Sequence, residues 1–200
     1  MTDALYISHP EVVTDPATSV PRWHPTDAAT ARVRRFAAVL HQLAVVWAST
    51  ECKAIEAVGL LAARFSLGIH GYPGLDEIDR SSTGCLPHAG HDRAADALFA
   101  HPEISHRGWE CAIDVQARAA RTWSEIMEAS PPGLVAIVGQ GSAGTLLLCR
   151  LAAWPIDRRH DAPQAGCVWI ADLATGAVRR GWRPLERIAA QVKAEAVSPA

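Results

Sequence analysis

Two periods of hydrophobic and polar residues take turns along this chain, and the switches between them lay out alternating strands and helices. Short, nearly continuous apolar runs at Leu5-Tyr6-Ile7, Ala44-Val45-Val46-Trp47, Val135-Ala136-Ile137-Val138 and Cys167 to Leu173 read as buried strands. A shorter strand is expected near Gly68 to Tyr72, and Ala177 to Trp182 should pair with Cys167 to Leu173 as a hairpin across Ala174-Thr175-Gly176. Between the strands the period changes. Val33, Phe36, Ala37 and Leu40 recur at helical spacing behind a cap at Thr26 or Asp27. Ile55, Val58, Leu61 and Ala62 do so in a helix from about Glu51 to Phe65, with Ser49 or Thr50 as its cap. A long helix from about Trp109 to Ala129 stops before Pro131-Pro132-Gly133, another follows Gly141, and Pro184 to Ala196 reads as a peripheral helix.

This order predicts a three-layer α/β/α sandwich with a mostly parallel sheet, an architecture that places ligands outside the carboxyl ends of its strands. His9, Ser49, Cys52 and Gln140 all fall at such ends. Helix amino termini near Glu51 and Gly141 should aim free N–H groups into the same crevice, giving it some affinity for anions. Pro16 and Pro21 mark residues 10–25 as a loop, and 75–105, rich in Gly, His and Asp with few periodic apolar positions, reads as a cover over the crevice. A single domain over residues 1–200 is expected, with 184–200 as its peripheral tail.

Composition narrows the function. With 49% hydrophobic residues in 200, the chain can bury one substantial core. A net charge of -2, from 19 basic and 21 acidic residues, provides no field to recruit nucleic acid. No basic-then-apolar leader opens the sequence and no apolar stretch approaches ~18 residues, so a soluble, cytoplasmic protein without membrane contact is expected. Five cysteines at irregular spacing, without Cys-x-x-Cys, argue against a disulfide framework or zinc ribbon and fit a reducing compartment. The spacing of Gly139, Gly141 and Gly144 departs from the dinucleotide fingerprint, and no cofactor or metal is expected. Self-association as a homodimer stays open.

The order of these segments, with His9-Pro10-Glu11-Val12 after the first strand, resembles the histidine phosphatase (phosphoglycerate-mutase-like) superfamily from roughly Leu5 to Pro184. The closest likeness is to a bacterial branch with a His-Pro-Glu-Val first motif. Asp79-Arg80-Ser81-Ser82-Thr83-Gly84, Gly108-Trp109-Glu110 and Pro155-Ile156-Asp157-Arg158 keep the look of that branch. The resemblance implies a nucleophilic His at His9 and a general acid at Glu77. It also implies two arginines and a second histidine around the phosphate, and there this chain departs: Ser8, Cys52 and Gln140 stand in their places. Cys167 stands where the branch tends to carry His.

The candidate catalytic residues are therefore His9 and Glu77, and the candidate substrate-binding residues are Ser8, Ser49, Cys52, Arg80, Gln140 and Cys167. His9 suits proton transfer near neutral pH. Lys53, Arg80, Arg22 and Arg158 lie in segments able to return charge to the crevice; Lys53 reads as a solvated helix residue and Arg80 as the best of the four. Cys52 reads either as inert packing or, in a first helical turn, as an activated thiol. Three functions follow: a remodelled enzyme using His9 and Glu77 on a small polar metabolite, a residual phosphatase working through a phosphohistidine, and a non-catalytic pseudophosphatase that binds a ligand.

Overall fold

The computed structural model describes residues 3–190. The apolar runs form one six-stranded sheet of β1 (Asp3–Ser8), β2 (Val45–Ala48), β3 (Ile69–Gly71), β4 (Val135–Gly139), β5 (Cys167–Asp172) and β6 (Val178–Pro184), in the order β3-β2-β4-β1-β5-β6. β1, β2, β3 and β4 run parallel, whereas β5 lies antiparallel to β1 and forms a hairpin with β6. β1, β2 and β4 are buried along almost their whole length, the pattern a sheet covered on both faces demands.

Helices supply the two covers. On one face α1 (Asp27–Val39) and α2 (Cys52–Phe65) bring Val33, Phe36, Val58 and Leu61 against Leu5, Ile7, Val46 and Val138. On the other, α4 (Ala112–Ala129) and α5 (Gly141–Leu151) bring Ala119, Trp123, Ile126 and Leu147 against Tyr6, Trp47, Ile137 and Trp169. Trp169 is fully buried and stacks on Tyr6 with ring centroids 4.8 Å apart. Removing so large a side chain costs about 3–5 kcal/mol.

Tyr6 accounts for the glycines at the end of β4 and in the first turn of α5. A Cβ on Gly139 would lie 2.1 Å from its hydroxyl, and one on Gly144 would lie 2.3 Å from its ring. These glycines admit an aromatic ring from β1, a packing role rather than a nucleotide-binding one.

The helix expected from Trp109 begins at Ala112, because residues 109–111 are held in a turn by the 79–83 loop. Trp109 Nε1–H donates to Thr83 Oγ1 (2.9 Å), and Glu110 N–H donates to the Asp79 carbonyl (2.9 Å). Within the cover, His88–Ala100 forms a helix, α3, that the apolar pattern does not announce. Its buried residues, Ala94, Ala95, Leu98 and Phe99, span little more than one turn, and Ala94, Leu98 and Phe99 pack in a cluster with Ile78, Trp109 and Leu146. Thr26 caps α1 by accepting from Ala29 N–H (3.1 Å), as expected. The cap of α2 is Glu51 instead of Ser49 or Thr50, because Thr50 is turned toward Asp76, which accepts from its N–H and hydroxyl (2.6 Å each). The terminal helix covers 185–190, and the rest of its expected span, to Ala196, lies outside the described residues.

Candidate active site

Parallel β1, β2 and β4 end at one edge of the sheet, so His9, Ser49 and Gln140 emerge side by side. The backbone of His9 is held on both sides. Its N–H donates to the Gly139 carbonyl (2.9 Å), and its carbonyl accepts from Gly166 N–H (3.0 Å). The ring Nδ1 lies 2.7 Å from the Pro10 carbonyl. A carbonyl only accepts, so Nδ1 carries the proton and Nε2 keeps its lone pair. Burial, reinforced by the charge of Lys53, pulls the His9 pKa down to about 4 and keeps the ring neutral.

Glu77 follows a 3-10 turn at Pro73–Leu75 and reaches the start of α5, where its Oε1 accepts from Ala143 N–H (3.3 Å) and from Ile78 N–H (3.1 Å). Burial raises its pKa above the ordinary carboxylate value; Arg80 opposes the shift and Glu51 adds to it. His9 and Glu77 line one cavity of about 260 Å³ together with Ser8, Gly141, Ser142 and Asp161. Glu77 also lines a second cavity of about 500 Å³, between residues 16–21 and 76–85. The carboxylate of Glu77 thus occupies the anion slot that the amino terminus of α5 offers.

Two groups that the sequence does not single out hold this arrangement. Arg118 on α4 donates to the carbonyls of Gly74 (3.0 Å), Asp76 (2.8 Å) and Glu77 (2.9 Å), and it pairs with Glu110 at 2.8 Å. Glu51 accepts the N–H of Glu77 on Oε1 (2.7 Å) and pairs through Oε2 with Lys53. Lys53 is only 2% exposed and also donates to the Val20 carbonyl (3.3 Å). The expectation of a solvated lysine is therefore corrected: the 16–21 loop closes over its ammonium group.

The other expected contacts divide. Ser8 lines the smaller cavity, but its hydroxyl accepts from Cys167 N–H (3.0 Å) and donates to the Cys167 carbonyl (3.3 Å), tying β1 to β5. Cys167 is fully exposed to neither solvent nor cavity; it is 0% accessible, packs in the Tyr6 and Trp169 cluster, and has its thiol pushed up to about 11 by burial. That packing corrects its place among the ligand contacts. Gln140, also 0% exposed, donates from Nε2 to Ser49 Oγ (2.7 Å), and both residues sit behind the cavity walls. Cys52 is half-buried in the first turn of α2 and lines neither cavity. Arg80 lines the larger cavity beside Glu77. Among the described residues no group of His, Cys, Asp or Glu is arranged to hold a metal ion, and no helix is long and apolar enough to cross a membrane.

A doubly covered sheet with a histidine after its first strand and a carboxylate lining the same cavity defines a histidine phosphatase-like α/β protein. Residues 26–177 match the model of the histidine phosphatase superfamily (branch 1), and the chain belongs to that superfamily. The match starts at the cap of α1, downstream of His9. YhfR of Bacillus stearothermophilus is similar in structure, with 20% identity, a TM-score of 0.77, and 92% of this chain and 96% of that one covered. A mycobacterial glucosyl-3-phosphoglycerate phosphatase is similar at 17% identity and a TM-score of 0.72, with 90% and 95% covered. A putative alpha-ribazole-5'-P phosphatase from Escherichia coli gives 16% and 0.74, with 92% and 98% covered. No curated protein matches the chain.

Proposed function

We propose that this chain is an enzyme that acts on a small polar metabolite through acid-base or covalent chemistry at His9 and Glu77, and that it is a poor phosphomonoesterase. The observation that carries this reading is the pairing of a histidine held neutral with a carboxyl group held toward its protonated form, both on the wall of one cavity. Environments that push two titrating groups apart assign base and acid. His9 Nε2 would take a proton or attack an electrophile, and Glu77 would protonate the leaving group.

Weak phosphatase activity follows from the charges. Phosphoryl transfer depends on positioning and on cations around the transferred group. Ser8, Cys52 and Gln140 carry no positive charge, the Ser8 hydroxyl and the Gln140 amide N–H are bonded to Cys167 and Ser49, and Lys53 is paired with Glu51. Each missing charge-assisted contact is worth about 1.5–3 kcal/mol, so three lower the rate by roughly 10^3–10^6. A residual phosphatase is the second reading. Arg80 beside Glu77 supports it, as do the phosphatases among the structural relatives.

The test is turnover of p-nitrophenyl phosphate and of a metabolite panel by the wild type, His9→Ala and Glu77→Gln. The proposal expects little hydrolysis of the aryl phosphate and a panel substrate whose turnover both variants abolish. An aryl phosphate turnover above ~1 per second that needs His9 would establish the phosphatase instead. Ligand binding without turnover, unchanged in both variants, would establish a non-catalytic binder.

A further inference from the structure

The larger cavity contains a cation without a hydrogen-bond partner. Arg80 lines it, and among the described residues no side chain or carbonyl accepts a hydrogen bond from its guanidinium; its Nε is buried and unpartnered. An unsatisfied buried donor of a charged group is costly, and an anion beside the guanidinium offsets that cost.

The acids around Arg80 are already engaged. Glu51 is taken by Lys53 and the Glu77 N–H, Glu77 Oε1 by the N–H groups of Ile78 and Ala143, Asp76 by the N–H and hydroxyl of Thr50 (2.6 Å each), and Asp79 Oδ1 by Ser81 N–H (2.9 Å). The guanidinium is held in position from behind. Its carbon lies 6.0 Å from the centre of the Trp109 ring, whose Nε1–H donates to Thr83 Oγ1 (2.9 Å), while Thr83 N–H donates to the Arg80 carbonyl (3.1 Å). One turn therefore fixes both the cation and the aromatic face beneath it, and Trp109 is itself 3% exposed.

We propose that this cavity is a carboxylate subsite, in which Arg80 grips the carboxylate of a small, partly apolar substrate whose reacting end reaches His9 and Glu77. The assignment rests on the reading of the adjoining crevice as the reaction centre, which Glu77 joins to this cavity by lining both. Pro16, Ala17, Val20, Pro21 and Ile78 supply an apolar part of the wall suited to a hydrocarbon body. Charge decides between oxyanions. A monocarboxylate matches one guanidinium fork, whereas a phosphate dianion would bring a second negative charge for which the lining holds no second cation.

The experiment is a titration of the full ¹⁵N-labelled chain with benzoate, which joins one carboxylate to an apolar body, and separately with inorganic phosphate. The Arg80 Nε–H cross-peak should shift and saturate with benzoate. Calorimetry should show benzoate bound at least about tenfold more weakly by Arg80→Met, and with intermediate affinity by Arg80→Lys, which keeps the charge without the fork. Should Arg80→Met fail to fold, the wild-type cross-peak and Arg80→Lys decide. An unmoved Arg80 signal, equal benzoate affinity in Arg80→Lys and wild type, or displacement of benzoate by phosphate at lower concentration would each overturn the assignment. Repeating the titration on His9→Ala separates the two proposals, because the carboxylate subsite should bind benzoate there even if the crevice performs no chemistry.

Discussion

Glu51 and Lys53 form a buried ion pair at the start of α2, and the second carboxylate oxygen of Glu51 accepts the backbone N–H of Glu77 at 2.7 Å. The pair does two things at once. It cancels the positive charge nearest His9 on α2, and it anchors the loop that presents the acid. Lys53 cannot serve as a free phosphate clamp while it neutralises Glu51.

Breaking that pair from one side should therefore cost far more than deleting it. Lys53→Met leaves a carboxylate buried without its counter-ion, an outcome worth about 3–5 kcal/mol. Glu51→Gln combined with Lys53→Met removes both charges, keeps an acceptor for the Glu77 N–H, and should recover most of the loss. Urea denaturation of the two single variants and the double variant supplies the full cycle. Additive losses would show that the two side chains do not act as a pair.

The acid and the base should also leave opposite marks on the pH dependence of stability. His9 has its pKa lowered from 6.5 to about 4 by burial and, second, by Lys53. The unfolded chain takes up that proton first, so the contribution is complete above the unfolded value and is lost as pH falls toward the folded one. Glu77 is raised by burial, so the folded chain holds its proton longer, and its contribution is complete below the unfolded value and is lost as pH rises through the folded one. His9→Gln should flatten the acid-side loss, and Glu77→Gln should flatten the opposing slope. Denaturation midpoints at about pH 5 and about pH 7 compare them directly. A His9 ring that titrates in ¹⁵N spectra near its ordinary value would contradict the neutral base.

Much of this architecture is legible in the residues. The apolar runs that became β1, β2, β4 and β5 are buried on both faces, so no polar residue interrupts them and they stand out. The family likeness points to His9 through a strand end, which the parallel topology brings to the crevice, whereas Glu77 reaches the same cavity on a loop held by Arg118 and Glu51. α3 was hidden for the opposite reason. It covers a small cluster at the rim, and four buried positions are too few to set up a helical period. Lys53 was misplaced because its burial comes from the 16–21 loop and from Glu51, neither of which helix periodicity can report. The pairing of Ser8 with Cys167 joins residues 159 apart in sequence, and no local pattern records it.

Thiol chemistry should sort the cysteines by these surroundings. Cys149 and Cys167 are fully buried, and burial raises both thiols, that of Cys167 to about 11. Cys52, Cys85 and Cys111 are half-buried. A small alkylating reagent applied to the native protein should modify the last three first and reach Cys149 and Cys167 only on unfolding, since the thiolate is the reacting form. Peptide mass mapping over time gives the order. Early labelling of Cys167 would mean that the β1 and β5 ends open, and would return that residue to the crevice.

Arg118 should prove to be the residue that holds Glu77 in position without touching a substrate. Its guanidinium spans from α4 to the acid loop, donating to the carbonyls of Gly74, Asp76 and Glu77 while pairing with Glu110, whose Oε2 in turn accepts from Asp79 N–H at 3.2 Å. Gly74 shows how closely the loop lies against α4, because a Cβ there would come within 1.9 Å of Thr122 Oγ1. Arg118→Met strips the donor from three carbonyls and the counter-ion from a partly buried carboxylate, so a loss of about 2–4 kcal/mol is expected. Arg118→Lys restores the charge but not the fork, and should recover only part of it. The same variants should speed amide exchange at Glu77 and Ile78 while leaving the strands protected, and should lower turnover as Glu77→Gln does, with binding at Arg80 less affected. Unchanged exchange at Glu77 in Arg118→Met would show that the loop is held by its own turn and by Glu51, and would remove Arg118 from the support of the acid.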